Sequence, residues 1–174
     1  KTGLDSFALG IKININNLSA TPEEIRLVIN DFGWLVVLLA VIPKSDLSNI
    51  LKRLRLRRAD RKFCSIVALH SNSEVFQQLV GLNWQQSAFF MNGYAAAIYA
   101  CMAWRLGHAF NTEHYLRMQQ WEPPEFPLSG ADLLSHGVDN GPTLGHLLDR
   151  AKKVWVESNF SIAKAVLLDE ILKR

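Results

Sequence analysis

Between positions 52 and 62 the chain reads Lys52-Arg53-Leu54-Arg55-Leu56-Arg57-Arg58-Ala59-Asp60-Arg61-Lys62, seven basic side chains against one acid in eleven positions. That local excess is larger than the formal net charge of the whole chain, +3, so the remainder is slightly acidic. Like charges packed this densely repel one another unless an anion is expected, and a phosphate backbone is the commonest such anion. The competing reading is a solvated helix end, because basic residues near a helix C-terminus are favoured by the macrodipole. Both readings are open from the residues alone; the phosphate reading nominates Lys52, Arg53, Arg57, Arg58, Arg61 and Lys62 as contacts.

A second set of candidates sits between positions 129 and 153. Ser129 and the Gly141-Pro142 pair mark two helix starts, whose free backbone N–H groups can hold phosphates or simply be well capped. Contact there nominates Gly141 and Thr143, with Lys152 and Lys153 as the nearby source of charge. Other chemistry is poorly supported. His70, His108, His114, His136 and His146 fall at no zinc-ligand spacing, and no Ser/His/Asp or Cys/His set suggests itself, so neither catalytic nor metal residues are nominated. The glycines at 130, 137, 141 and 145 make neither a dinucleotide fingerprint nor a P-loop. Cys64 and Cys101 lie in apolar helical settings and read as reduced, buried thiols of a cytoplasmic protein. Trp84, Phe89, Phe90, Tyr94, Tyr99 and Trp104 recur at helical spacing, as core aromatics do, rather than as a base-stacking platform.

The elements that must position these residues are helices. Thr21-Pro22-Glu23-Glu24 combines an N-cap, a proline at N1 and a capping-box glutamate, and the helix it opens should pause at 31–33 before an apolar segment, Trp34 to Ile42, that Pro43 ends. Leu47, Ile50, Leu51 and Leu54 mark one amphipathic helix, and Asp60 to His70 another with Phe63, Ile66, Val67 and His70 on one face. Val75 to Val80, Trp84 to Gly107 and Thr112 to Gln120 follow as helices. Ser129 with Asp132 forms a capping box, Gly137 stands where a left-handed residue would end that helix, and Pro142 opens the next, whose apolar set Leu144, Leu147, Leu148, Ala151, Val154 and Trp155 keeps a helical period. Ile11 to Ile15 alternates like a short strand with nothing to pair against. With 174 residues, 49% apolar and 20% charged, the chain suits an all-α fold, a multi-helix body over 1–118 and a helical-hairpin tail with a closing helix over 119–174. Its longest apolar run, Phe32 to Pro43, is too short to span a bilayer, and no leader is evident.

From Pro127 to Leu148 the residues spell Pro-Leu-Ser-Gly-x-Asp-Leu-Leu-x-x-Gly-Val-x-x-Gly-Pro-x-Leu-Gly-x-Leu-Leu. That string closely resembles the C-terminal tail segment of bacterial class II CCA-adding enzymes, the tRNA nucleotidyltransferases, and of the bacterial poly(A) polymerases related to them. The resemblance continues through Lys152 to Phe160 and the closing helix, extends upstream over Trp121 to Pro127, and covers Trp34 to Arg117 more loosely; residues 1–30 are not placed by it. The chain departs from the family after its Leu-Arg-Leu element, where relatives carry a Ser or Thr helix cap and this one has Arg57-Arg58. The exchange gives up a cap worth about 1 kcal/mol and adds two positive charges.

The resemblance implies a C-terminal region that holds tRNA at its elbow and T-arm by shape and phosphates, consistent with how A-form RNA is usually recognised. Catalysis would belong to an N-terminal domain, where the family carries a Gly-Ser pair and an Asp-x-Asp metal site for transfer of CMP and AMP. Neither motif occurs here, and the opening at Lys1 rather than Met fits a truncated or processed product. The expectation is therefore a region inactive by itself and without a cofactor of its own, the parent enzyme using Mg²⁺ with ATP and CTP, and partnered by tRNA and by that N-terminal domain, with no membrane. Two alternatives are the same region of a bacterial poly(A) polymerase and a stand-alone helical protein-interaction module.

Overall fold

The structure is a computed structural model, and it describes residue 18, residues 20–42 and residues 44–173. Every regular element among them is helical, which makes the fold all-α. The possible strand at 11–15 and the helix-ending Pro43 lie outside the described residues. The chain divides into two compact units between Trp121 and Glu122. A boundary after 118 would instead cut the helix that runs Thr112–Gln120.

The first unit is organised by one helix that has no polar face. In order it contains α1 (Pro22–Phe32), α2 (Leu35–Val41), α3 (Lys44–Arg53), α4 (Arg58–His70), α5 (Ser73–Val80), α6 (Trp84–Phe89), α7 (Ala95–Leu106) and α8 (Thr112–Gln120). Every residue of α7 from Ala95 to Trp104 is buried, and a helix apolar all round must be covered on all sides. The cover comes from α1, α2, α4, α5 and α8, all of which pack against it. Polar anchors then fix the cover in register. Arg105, at the end of α7, donates to the carbonyls of Leu39 and Ile42 and so satisfies the C-terminal end of α2. The Tyr115 hydroxyl donates to Asp31 at 2.6 Å, tying α8 to α1. The Asn111 amide donates to the Tyr99 hydroxyl at 2.8 Å, and the His114 ring lies 2.7 Å from the Leu79 carbonyl.

Local signals set most helix ends in this unit. Thr21 and Glu24 form the reciprocal capping box, and Gly33, at φ +76°, supplies the left-handed turn that separates α1 from α2. Asn72 and Asn111 cap α5 and α8 by accepting from the amides of Val75 and His114. One expectation needs correction: Trp84 to Gly107 is not a single helix. It breaks into α6 and α7 across a turn in which Asn92 and Gly93 take φ +50° and +80°, conformations a helix cannot continue through. Cys64 and Cys101 are free and buried, and burial pushes both thiols up to about 11.

The second unit comprises α9 (Gly130–Ser135), α10 (Pro142–Glu157) and α11 (Lys164–Leu172) around Leu128, Leu133, Ala151, Trp155, Val156, Leu167 and Ile171. Two helix ends carry the same device. The amide of Val138 donates to the Leu133 carbonyl and that of Gly137 to Leu134, while those of Phe160 and Asn159 donate to Trp155 and Val156; these are Schellman closures with Gly137 (φ +82°) and Asn159 (φ +56°) in the left-handed position. Asp132 links α9 to α11. Its carboxylate accepts from the Ser129 amide and hydroxyl and sits 2.7 Å from the Lys164 ammonium.

Hydrogen bonds from Lys164 and Ser129 hold the Asp132 carboxyl down at about 2, from an ordinary 3.8. A depressed carboxylate contributes stability that is present above its unfolded value and is lost as the pH falls through its folded one. Urea unfolding followed from pH 5 to pH 2 should show this loss, and Lys164→Ala should shrink it and raise the Asp132 carboxyl in a carbon-detected titration. Ser129→Ala should lower stability at neutral pH by about 1 kcal/mol through loss of the cap.

Candidate nucleic-acid interface

The basic run folds as a helical hairpin. Lys52 and Arg53 form the last turn of α3, residues 54–57 make the connection, and Arg57 is the N-cap of α4, with Arg58, Arg61 and Lys62 in its opening turns. All seven basic residues from Lys52 to Lys62 are exposed. Lys52 and Arg53 therefore meet a helix C-terminus, where the macrodipole favours them. Arg57 and Arg58 meet the opposite end, where the dipole opposes cations and where no side chain caps the free amides, and Arg61 and Lys62 follow in the next turn. The dipole at a helix C-terminus thus accounts for two of the six nominated cations.

The α4 start keeps one local compensation. Arg57 pairs with Asp60 at 3.0 Å, and the hydrogen bond and charge of that carboxylate raise the guanidinium's pKa. Arg57 is consequently less available to an outside anion than its neighbours. Among the described residues no carboxylate pairs with Lys52, Arg58, Arg61 or Lys62. Asp60, in the first turn of α4, offsets part of that helix's positive end, while the N-cap Arg57 supplies no side-chain cap.

Packing of α3 on α4 leaves a groove of about 670 Å³ between them. Leu47, Leu51, Ala68 and Leu69 form its apolar floor, with the hydroxyls of Ser48 and Ser65 beside them. Lys52 and Arg61 line the same groove. The stripe follows from helical spacing, since Ser48 and Lys52 are four apart on α3, and Arg61, Ser65 and Leu69 are successive four-residue steps on α4. Of the nominated cations, then, the fold brings Lys52 and Arg61 together across the hairpin and leaves Arg53, Arg58 and Lys62 outside this groove.

In the second unit the nominated residues separate. Gly141, at φ +150° and ψ −162°, precedes α10 and makes no side-chain cap, and Thr143 follows at the second helical position; both are exposed. Thr143 lines a cavity of about 600 Å³ with His136, Asp139, Leu147, Arg150 and Lys173. Sequence reasoning misses Arg150 and Lys173. Arg150 carries a signal that could have found it, because it lies seven residues after Thr143 and so on the same helix face, whereas Lys173 reaches the cavity only through the packing of α11 on α10. Lys173 also pairs with Glu170 at 3.3 Å. Lys152 is half-buried, its ammonium 5.7 Å above the Phe126 ring, so it helps to pack the residues ahead of α9 onto α10. Lys153 is exposed.

Of the aromatics read as core, Trp84, Tyr99 and Trp104 are buried, while Phe90 is 43% exposed. Among the described residues no three His, Cys, Asp or Glu side chains converge as a metal site, and no helix is long and apolar enough to cross a membrane.

An all-helical chain with a basic hairpin and a capped tail defines a class of architecture, and comparison with known proteins narrows it. Over 66 residues the chain is 38% identical to the Homo sapiens protein named CCA tRNA nucleotidyltransferase 1, mitochondrial, a stretch covering 37% of this chain and 15% of the relative. The Mus musculus protein of the same name matches over 66 residues with the same identity and coverage. The Danio rerio protein of that name is 32% identical over 54 residues, 31% of this chain and 12% of the relative. The chain spans about 15% of the length of the human and mouse relatives it matches. No family profile and no solved structure matches it. The similarity is thus to CCA tRNA nucleotidyltransferases of vertebrates, where the tail string points to bacterial ones.

The backbone at Gly141 generates a prediction of its own. No atom lies within 4 Å of where a Cβ would sit, so space is not the constraint. Its φ of +150° is one that L side chains rarely adopt. Gly141→Ala should therefore destabilise the protein by more than about 1 kcal/mol in denaturant melts, which makes this position unsuited to separating RNA contact from stability.

Proposed function

We propose that this chain is an RNA-holding region of a CCA-adding tRNA nucleotidyltransferase, which grips tRNA through backbone phosphates while nucleotide transfer is carried out by another domain of the parent enzyme. The observation that carries the reading is the exposed cation cluster in the opening turns of α4, where Arg58, Arg61 and Lys62 have no carboxylate partner among the described residues and the helix start has no side-chain cap. Such an arrangement is destabilising in the free protein and is relieved by an anion. The partial similarity to CCA tRNA nucleotidyltransferases supports tRNA as the source of that anion.

Within this reading Lys52, Arg53, Arg58, Arg61 and Lys62 supply phosphate contacts, with Arg57 contributing less while Asp60 holds it. In the second unit Gly141, Thr143 and Lys153 remain candidate contacts, and Arg150 joins Thr143. Mg²⁺ and the nucleoside triphosphates would be bound by the parent enzyme's catalytic domain.

Two outcomes check the proposal. Binding of tRNA should weaken linearly in log K against log salt, and the Arg58→Glu/Arg61→Glu double variant should lower that slope by about one for each phosphate that is no longer neutralised. An unchanged slope, or no binding of tRNA at all, would return the run to a solvated surface. The chain by itself should incorporate no labelled CMP or AMP into tRNA lacking its CCA end, because two-metal transfer needs an acidic ligand cluster absent from the described residues.

A further inference from the structure

We infer that the α3–α4 groove holds a single unpaired ribonucleotide, with its phosphate between Lys52 and Arg61 and its base against Leu51 and Leu69. This rests on the reading of the basic run as an RNA-contacting surface. It goes further by naming what the surface takes, a nucleotide extruded from pairing rather than the backbone of a duplex.

The groove is graded in a way a duplex backbone does not require. Only four residues, 54–57, connect the two helices, so Lys52 and Arg61 lie at the end of the groove nearest the connection, while Leu47 and Leu69 lie toward the far end. Phosphates alone would be served by cations on a polar surface. Here the cations lead onto an apolar floor in which Leu69 is 73% exposed. A lone exposed leucine means little, but this one continues a concave apolar surface that is left in water.

A nucleotide matches that gradient end to end. Its base carries two apolar faces that gain from covering aliphatic surface, its ribose and base edges can exchange hydrogen bonds with Ser48 and Ser65, and its phosphate suits the paired cations. Size agrees as well, because about 670 Å³ lies in the range of small-ligand sites. The competing occupant, an acidic amphipathic helix, would need several apolar anchors spread over two or more turns. The floor offers four apolar residues within a much shorter reach. An aliphatic floor also implies little preference among the four bases.

The test uses the full 174-residue chain with isotope-labelled leucine methyls and two RNA hairpins that differ by one bulged nucleotide. The bulged hairpin should bind about fivefold more tightly than the paired one, the low end of what base contacts contribute. Ring-current shifts should appear at the Leu47, Leu51 and Leu69 methyls with the bulged RNA only. Leu69→Asn, at an exposed position, should abolish the preference while leaving affinity for the paired hairpin and its salt slope unchanged. Equal binding of both hairpins with silent floor methyls would overturn the groove assignment and leave the phosphate reading standing. Failure of both hairpins and of tRNA to bind would overturn both. If an acidic amphipathic peptide shifts the floor methyls and RNA does not, the groove belongs to a protein partner and the inference is wrong.

Discussion

A helix that is apolar on every side has no stable position at a surface, and α7 imposes that constraint on the first unit. From Ala95 to Trp104 it offers alanines, Ile98, Tyr99, Cys101, Met102 and Trp104 in turn, all buried. Five other helices must converge on it, and each is amphipathic or apolar enough to do so. Small residues on α7 let the neighbours approach closely, while Tyr99 and Trp104 fill the larger gaps and build an aromatic cluster with Phe76, Phe110 and His114. The polar anchors from Arg105, Tyr99 and Tyr115 would be costly to leave unpaired at such depth, so they specify the arrangement as well as support it.

The hairpin of α3 and α4 is held at one face by this core and left open at the other. Leu47, Ile50, Phe63, Cys64 and Val67 turn inward and fix the two helices. With the inner face committed, the basic side chains from Lys52 to Lys62 lie on the exposed face. The same packing that buries Phe63 and Val67 therefore presents Arg61 and Leu69 in one groove. Charge placed against the α4 dipole is a cost that a merely structural helix would avoid, and the Arg57–Asp60 pair offsets only part of it.

The second unit is small, and its order depends on closures rather than on a large core. Two Schellman motifs, one capping box and the Asp132–Lys164 link satisfy backbone groups at three of its helix ends and join α9 to α11. Trp155, in edge contact with both Phe126 and Phe160, supplies the central apolar contact. Such a unit can display rigid helix starts without a deep interior, at the cost of sensitivity to single cap substitutions.

Helix ends governed by contacts three or four residues apart were legible in the sequence. Thr21 with Glu24, Ser129 with Asp132, Gly33, Gly137 and Pro142 each carry their instruction locally, because a cap or a left-handed turn is decided within one turn of chain. The break at Asn92-Gly93 is written in the same local language and is masked by the uninterrupted apolar period around it. What the sequence by itself could not determine is which cations remain available and which converge. Lys152 engages a ring twenty-six residues earlier, Lys173 reaches the cavity of Thr143 only when α11 packs on α10, and Lys52 meets Arg61 only when two helices close on a shared apolar seam. Those pairings are set by the burial of side chains distant in sequence, and burial of that kind is decided by the tertiary structure alone.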